Sequence, residues 1–466
     1  MPRRTVSHSD LPLSLQQINL NAAGIDVGAT SLFVAVPTDR SATPVREFGT
    51  FTRDLHHLAN WLQECQVDTV VMESTGVYWI PLFEVLEQRG FSVLLVDARR
   101  TKNVSGRKSD VLDCQWLQQL HTYGLLAGAF RPADQIVVLR SYLRQRAMLV
   151  RLAAMHIQHM QKALQQMNVL LHQVVSDITG VTGLAIIRAI LAGERDPLTL
   201  AQYRDYRCRR SFEVIAKSLE GNYRDEHLFA LRQALTLYES YQSLIGECDQ
   251  QIEAYIGQFA SVTEQEAPAS VKPHKPDRHA PQFDVRTELY RITGVDLTRI
   301  AGISVTTALT LVSELGTDMS RWATVKHFSS WLGLCPGTKK SGGRVLSSKT
   351  KPSSNRAAAA LRLAASSLHH SQSALGAYFR RMTARLGRPK AVTATAHKLA
   401  RLVYAMLKYG TEYTDQGAAS YEAQHRERML KSLTRRAKEL GYELVTTRAP
   451  TADATPATLP AKSAVT

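Results

Sequence analysis

The sequence is short of acidic residues and has no long hydrophobic run. Its 466 residues include 41 aspartates and glutamates against 57 lysines and arginines, which gives a formal net charge of +16. This imbalance favours a polyanionic partner, with nucleic acid as the first candidate and a membrane surface as the alternative. No apolar run approaches spanning length, and Arg3 and Arg4 are not followed by the apolar core of a secretory signal. We therefore expect neither a membrane span nor export.

Cysteine is scarce as well. The five cysteines stand singly, without the CxxC or Cys/His spacing of a zinc site. This usage is typical of a reducing compartment and argues against a structural zinc ion. We expect a cytoplasmic protein.

Glycine and proline are absent from residues 133–179, and this absence predicts a long helix. Apolar residues recur there at alternating steps of three and four, a heptad pattern that suits a coiled coil: Val150, Ala153, Ile157, Met160, Leu164, Met167, Leu171 and Val174. A second helical stretch runs from about Glu226 to Phe259. It can fold back on the first helix, or either helix can pair with a partner chain. We expect a spacer between two domains and a route to a dimer or tetramer.

Composition divides the rest of the chain. Residues 263–285 carry prolines and mixed charges without an apolar period, as linkers do. The predicted divisions are an α/β domain at 20–132, a helical coiled-coil region at 133–262, a proline-rich linker at 263–285, a mainly α-helical C-terminal domain at 286–412, and a basic helix with a disordered tail at 413–466.

The first predicted domain alternates strand and helix patterns. The expected elements are a hairpin of buried strands at 23–28 and 32–36, a strand at 69–73, a helix at 77–88 and a strand at 91–96. Gly90 suits the C-terminal cap of the helix. Strands that alternate with helices predict a mixed sheet covered by helices.

Two acids fall where strands should be buried. Asp26 lies in the first strand and Glu73 ends a later one. A carboxylate in an apolar strand is unfavourable unless it is paired or bound to a metal ion. An ion pair with a nearby arginine and a metal site are therefore the two explanations.

Asp110 and Asp113 add two more acids, three residues apart, after a basic loop at 99–102. Ser109 suits a helix cap, and on a helix the two carboxylates share one face. The predicted buried face of this helix is apolar: Val111, Leu112, Trp116, Leu117 and Leu120. If all four acids meet at one sheet edge, their oxygens suit Mg²⁺ or Mn²⁺ and phosphodiester chemistry, as in RNase H-like nucleases.

A rival explanation shares the first motif. Asp26-x-Gly28-x-Thr30 also resembles the phosphate loop of actin-like and sugar-kinase ATPases. Those enzymes need a second phosphate loop and a glycine-rich adenosine motif, and we find neither in this sequence.

Two segments of the predicted C-terminal domain carry phosphate-binding patterns. Residues 297–308, with Gly302 at the turn, resemble a helix-hairpin-helix, and a plain helical turn is the alternative. Farther on, Ser341-Gly342-Gly343 lies in a loop with five cations: Lys339, Lys340, Arg344, Lys349 and Lys351. This loop is either a flexible phosphate-binding turn or the site of a serine nucleophile. In the second case the cations bind nucleic acid and the glycines allow its close approach.

Together these features resemble the DEDD transposases of the insertion-sequence-110 family. The resemblance rests on the four acids, the long helical region, the segment Gly294–Gly316 and the "SGG" motif at Ser341–Gly343. It runs from about Leu20 to Tyr409.

The resemblance implies a RuvC-like domain of the RNase H-like class whose acids bind Mg²⁺, a coiled coil, and a C-terminal domain whose serine becomes joined to DNA. Family members excise and insert a bacterial mobile element as double-stranded DNA, guided by a structured non-coding RNA, in active sites shared between protomers. Such a protein would associate with the nucleoid when bound to DNA. Two other functions stay open at this point: a RuvC-like structure-specific endonuclease that uses metal-activated water, and a non-catalytic nucleic-acid-binding scaffold.

Overall fold

The computed structural model describes residues 16–74, 76–97, 110–269 and 279–445, which fall into two compact units divided after Arg131. The basic loop at 99–102, Ser109, residues 270–278 of the predicted linker and the tail from Thr446 lie outside the described residues. The finer domain boundaries given above stay predictions.

The first unit is built on a five-stranded mixed sheet. Its strands are β1 Ala22–Val27, β2 Ser31–Ala35, β3 Val45–Gly49, β4 Thr69–Glu73 and β5 Ser92–Val96, in the order β3-β2-β1-β4-β5. β1, β2 and β3 pair antiparallel, whereas β1, β4 and β5 pair parallel. This arrangement is consistent with the predicted RNase H-like class. Sequence patterns predicted four of the five strands and missed β3.

Helices cover the two faces of this sheet. The helices are α1 Thr52–Glu64, α2 Trp79–Gln88 and α3 Asp110–Thr122. Side chains of α1 and α2 share one core with Ile25 and Met72, whereas Leu117 of α3 packs with Val71 in a second core. Because side chains alternate along a strand, the residues next to Ile25 and Met72 lie on the α3 face.

The two predicted ends of α2 are nearly correct. The helix begins at Trp79, two residues later than predicted, and ends at Gln88 with Arg89 as its cap. Gly90 follows the cap with a φ of +86°, a conformation that favours glycine. Gly90 is therefore the residue after the cap instead of the cap itself.

The predicted buried face of α3 is largely wrong. Leu117 is buried, but Val111, Leu112 and Trp116 are 39%, 50% and 36% exposed. Burial instead follows Cys114, Leu117 and His121, which are spaced by three and four residues along the helix. The sequence offered two overlapping apolar stripes, and contact with the sheet selects the one centred on Cys114.

Two long helices dominate the start of the second unit. α4 Asp134–Gln166 and α9 Asp225–Ile256 pack against each other, so the second helix does fold back on the first. Four short helices connect them: α5 Leu171–Val174, α6 Val181–Ala192, α7 Pro197–Ala201 and α8 Phe212–Ser218. α4 stops well before Thr179, because Asn168 adopts a left-handed φ of +58°. The coiled coil and its pairing with a partner chain stay predictions.

A buried ion pair joins α4 to α9 and to the last part of the predicted linker. Arg146 donates to Asp249, and both side chains are almost completely buried. Arg146 Nη1 also donates to the carbonyl oxygen of His279 at 2.9 Å, and Asp249 Oδ2 accepts from the Gln282 backbone N at 3.2 Å. The charges of this pair are satisfied on several sides, as buried charges require.

The rest of the second unit is mainly helical. Its elements are α10 Val285–Thr293, α11 Val305–Leu315, α12 Val325–Trp331, a hairpin of β6 Lys339–Ser341 and β7 Arg344–Ser347, α13 Arg356–Ser367, α14 Ala374–Leu386, α15 Arg388–Tyr409 and α16 Gly417–Glu439, with single 3₁₀ turns at Leu297–Arg299 and Leu368–His370. None of the helices in the described part of the chain combines the length and the apolarity that crossing a membrane needs.

Gly302 has a packing role in the segment predicted to be a helix-hairpin-helix. It lies between the first 3₁₀ turn and α11 with a φ of +92°. A Cβ at this position would lie 2.8 Å from the carbonyl oxygen of Ala364 in α13. Ser304 then caps α11 by accepting a hydrogen bond from the Thr307 backbone N. The phosphate contact predicted for this turn stays a prediction.

Candidate active site

The register of the sheet brings Asp26 and Glu73 to neighbouring positions. β1 and β4 are parallel, and Ile25 pairs with Met72 in their ladder. Asp26 and Glu73 are the next residues of the two strands, so they follow the pair on the opposite face. That face is covered by α3, and both acids are half-buried there.

The strand end beside Glu73 is fixed by its neighbour. The Ser74 backbone N and Oγ both donate to the carbonyl oxygen of Val96, at 2.9 and 3.0 Å. These bonds tie the end of β4 to β5 and so fix the backbone next to Glu73.

Gly24 allows α3 to approach this face. A Cβ on Gly24 would collide with the carbonyl oxygen of Cys114 and the backbone nitrogen of Gln118. Gly24 and Asp26 are two residues apart on β1 and therefore face the same helix. The first turn of α3 carries Asp110 and Asp113, just before Cys114.

The far end of α3 is held by a polar contact. Thr69 Oγ1 lies 2.8 Å from Nε2 of His121, and burial lowers the pKa of that imidazole. The helix is therefore fixed to β4 at one end and against Gly24 near the other. This seating places its N-terminal acids toward Asp26.

Electrostatics identifies the four acids as one group. Burial, followed by the charges of Glu73, Asp110 and Asp113, raises the pKa of Asp26 from 3.8 to about 6. Burial likewise raises the pKa of the Cys114 thiol to about 12, with smaller contributions from Asp26 and Asp113. The metal site predicted at these four acids stays a prediction.

The oxygen donors of this group suit a metal ion in their chemistry, but the carboxylates are too far apart to hold one. Carboxylate oxygens are the donors that Mg²⁺ and Mn²⁺ prefer, and a cation would relieve the repulsion that raises the Asp26 pKa. Among the described residues, no three His, Cys, Asp or Glu side chains stand close enough together to hold an ion. The carboxylates would therefore have to draw together on binding it.

Ser341 lies at the tip of a hairpin, where the sequence predicted a loop. Ser341 ends β6 and pairs with Arg344, the first residue of β7. Gly342 and Gly343 connect the strands with φ values of +53° and +77°, as in the type I′ turns that suit two-residue hairpins. Ser341 and both glycines are exposed.

The hairpin region exposes a group of basic side chains. The five predicted nucleic-acid-binding cations are all exposed: Lys339, Lys340, Arg344, Lys349 and Lys351. At its base, Pro336 bridges to Thr350, and the Gly337 backbone N donates to the carbonyl oxygen of Lys349 at 3.1 Å. Cations on a small, exposed hairpin are free to contact phosphates without loss of core packing.

Ser341 differs from its neighbour Ser347 in its surroundings. Ser347 Oγ accepts a hydrogen bond from the Lys349 backbone N at 3.3 Å and is half-buried. Ser341 stands at the exposed turn, beside two glycines at which an added Cβ would meet no other atom within 4 Å. The structure thus gives Ser341 the more accessible hydroxyl.

Sequence reasoning singled out the acids and the serine as candidates but missed Gly24. A glycine inside an apolar strand usually marks a bulge or a close approach of another backbone, and that signal was present. It was hidden because Asp26, two residues later, was the more conspicuous feature of the same strand.

Two family models match the chain. Residues 23–169 match a DEDD transposase model of the IS110 type, and residues 296–380 match the model described as transposase IS116/IS110/IS902 family. The first match includes the four acids, and the second includes Ser341. No curated protein matches the chain. With both models matched in order along one sequence, the chain belongs to the IS110 family of transposases.

Proposed function

We propose that this transposase recombines DNA with two catalytic groups. One is a divalent metal ion bound by the four acids, and the other is a serine nucleophile on the β6–β7 hairpin. The observation that carries the proposal is the half-buried Asp26, whose pKa is raised first by burial and then by the charges of Glu73, Asp110 and Asp113. Strongly shifted pKa values of acids that lie close together are typical of functional sites.

The acids have the first role. Asp26, Glu73, Asp110 and Asp113 would hold Mg²⁺ or Mn²⁺, which would stabilise charge on the phosphodiester oxygens during strand exchange. Asp26 and Glu73 are half-buried at the ends of β1 and β4, which limits the water that competes for the ion.

The hairpin has the second role. Ser341 Oγ forms a bond to phosphorus as the bond from phosphorus to a deoxyribose oxygen breaks, and the hydroxyl proton ends on that oxygen. Lys339, Lys340 and Arg344 bind the adjoining phosphates, and the Gly342-Gly343 turn lets the DNA approach the backbone.

A guide RNA is the third part of the proposal. Its support is the family and the net charge of +16, which suits a protein that carries RNA and DNA together. The proposed partners are therefore donor and target DNA, a structured non-coding RNA, and further copies of the chain.

A denaturing gel tests the serine. Wild-type protein incubated with labelled cognate DNA and Mg²⁺ should give a protein-linked band that Ser341→Ala removes. Ser347→Ala and Ser348→Ala are the matched controls, since they share the hairpin region and should keep the band. Loss of the band in a control but not in Ser341→Ala would show that another serine attacks. Efficient cutting by wild type with no linked band would favour a nuclease that activates water.

A further inference from the structure

The C-terminal helices form an open cleft of about 720 Å³ with a basic and aromatic lining. His397, Lys398 and Arg401 of α15 contribute its basic groups. Tyr378 of α14 and Tyr409 at the end of α15 contribute two of its aromatic rings. No motif recognised in the sequence includes this cleft, and it belongs neither to the acid group nor to the hairpin.

Positive charge is concentrated at Lys398. Burial lowers the pKa of its ammonium, and the charges that act on it lower the pKa further because all are positive: Arg381, Arg428 and Arg401. Burial lowers the pKa of His397, and the charge of Arg401 lowers it further. Helices α14, α15 and α16 thus each bring a cation to one place, an arrangement that favours an anion.

Tyrosine rings hold two of these cations in position. Lys398 Nζ lies 4.5 Å from the centroid of the Tyr378 ring and 5.3 Å from that of Tyr421. The Arg381 guanidinium lies 4.8 Å from the Tyr421 centroid and donates to the Tyr421 hydroxyl. Ring faces attract cations without neutralising them, so the positive field at the cleft persists. Arg381 Nη1 is buried without a hydrogen-bond partner among the described residues.

Tyr409 offers a surface for a flat ligand. It ends α15 and is 64% exposed, although it is a large aromatic residue. Its ring meets the buried Tyr404 ring at 81°, with 6.1 Å between centroids. A ring that is held on one side and open on the other can stack against a base.

We propose that this cleft binds a short unpaired stretch of a nucleic-acid strand, with phosphates on Lys398 and Arg401 and the base of an adjoining nucleotide stacked on Tyr409. Bases inside a duplex are stacked on each other, so only an unpaired base can reach the tyrosine. The inference rests on the proposed function only in that the ligand is nucleic acid, and it requires neither the metal ion nor Ser341.

Fluorescence anisotropy of the full-length protein tests the cleft, with short labelled single-stranded DNA and RNA of mixed sequence, in EDTA. Tyr409→Ala should weaken binding by about fivefold or more, the usual loss for one stacked base, whereas Tyr409→Phe should keep the affinity. Arg401→Gln should weaken binding and reduce the slope of log affinity against log salt by about 0.7, the value for one phosphate contact. Tyr409→Ala should leave that slope unchanged.

Exposed residues elsewhere provide the controls. Arg151→Gln on α4 removes the same charge, and Tyr206→Ala removes a tyrosine that is 85% exposed. Wild-type affinity in both Arg401→Gln and Tyr409→Ala would overturn the site, as would equal losses in the controls. Equal losses on a duplex would overturn the unpaired strand. A loss of affinity for the RNA or for the DNA supports the site and identifies which of the two strands it binds. The covalent-band assay tests the proposed function separately.

Discussion

At Asp26 the proposed function and the stability of the fold oppose each other. Its pKa of about 6 lies above the ordinary value of 3.8, so the folded protein holds its proton more tightly than the unfolded chain does. Above pH 6 the ionised carboxylate therefore destabilises the fold. The full shift would correspond to roughly 3 kcal/mol, and solvent screening of this half-exposed group reduces it to about 1 kcal/mol.

Asp26→Asn should therefore stabilise the metal-free protein at pH 7 by about 1 kcal/mol while it abolishes DNA cleavage. Urea unfolding in EDTA measures the first effect. Added Mg²⁺ should raise the melting temperature of wild type but not of the variant, because the variant loses a ligand. Asp39→Asn is the matched control, since Asp39 is an exposed acid of the same unit.

The pH dependence gives a second readout of the same variant. As pH falls from about 6 toward 4, wild type should gain stability relative to Asp26→Asn, because its carboxylate takes up a proton first in the folded state. Below about pH 4 the difference should vanish. A variant that is less stable than wild type at pH 7 would contradict repulsion at this site.

Single residues were predictable where they break a rule of burial. Asp26 and Glu73 were found because acids are rare in apolar strands. Val111 and Leu112 were misassigned because an apolar residue on a helix satisfies either of two neighbouring stripes until the sheet selects one. Lys398 gave no signal, since its neighbours Arg381 and Arg428 reach it from other helices.

At the scale of elements, the contact between β1 and α3 decides the geometry of the acid group. Gly24→Ala should push α3 away from β1 and cost about 1–3 kcal/mol, the usual range for an overpacked core. Cleavage should fall more than stability predicts, because Asp110 and Asp113 move with the helix. Gly246→Ala is the matched control: it lies in α9 with no atom within 4 Å of an added Cβ and should stabilise slightly. Equal stability of the two variants in urea would show that α3 can accommodate a side chain at position 24 without moving.

The hairpin turn supports a prediction of its own. Gly342 has a φ of +53° and open space around it, so only backbone conformation limits its replacement. Gly342→Asn should keep the turn, since asparagine is favoured at this position, whereas Gly342→Val should cost the hairpin about 1–2 kcal/mol. We expect the covalent band to survive in the first variant and to weaken in the second, with unchanged melting temperatures in both. A full-strength band from Gly342→Val would show that the turn does not position Ser341.

Elements with a regular apolar period were predictable, and exposed ones were not. The long helices α4 and α9 were predictable because each buries an apolar face along its length. β3 and the β6–β7 hairpin were missed because neither contains a fully buried residue, so neither shows an alternation of buried and exposed positions. The end of α4 was missed because neither glycine nor proline marks Asn168.

At the scale of the whole molecule, charge is the property that sequence and structure share. The net charge of +16 is distributed over exposed cations such as those of the hairpin and α16, where it is free to contact phosphates. The packing of α4 on α9 uses much of their apolar surface within one chain. Assembly into a dimer or tetramer would therefore depend on the faces that remain exposed.

The purified protein should carry one discrete non-coding RNA, because guidance requires a defined RNA partner. A basic surface alone would bind RNA of any sequence. Sequencing of the co-purified nucleic acid identifies it, and binding of that RNA should weaken by orders of magnitude as salt rises, since many phosphate contacts release counterions. Ser341→Ala should carry the same RNA, because the serine acts on DNA. A mixture of random cellular RNA would contradict guidance while leaving the basic surface explained. A protein free of nucleic acid at low salt would contradict both, and the charge of the hairpin would then serve DNA alone.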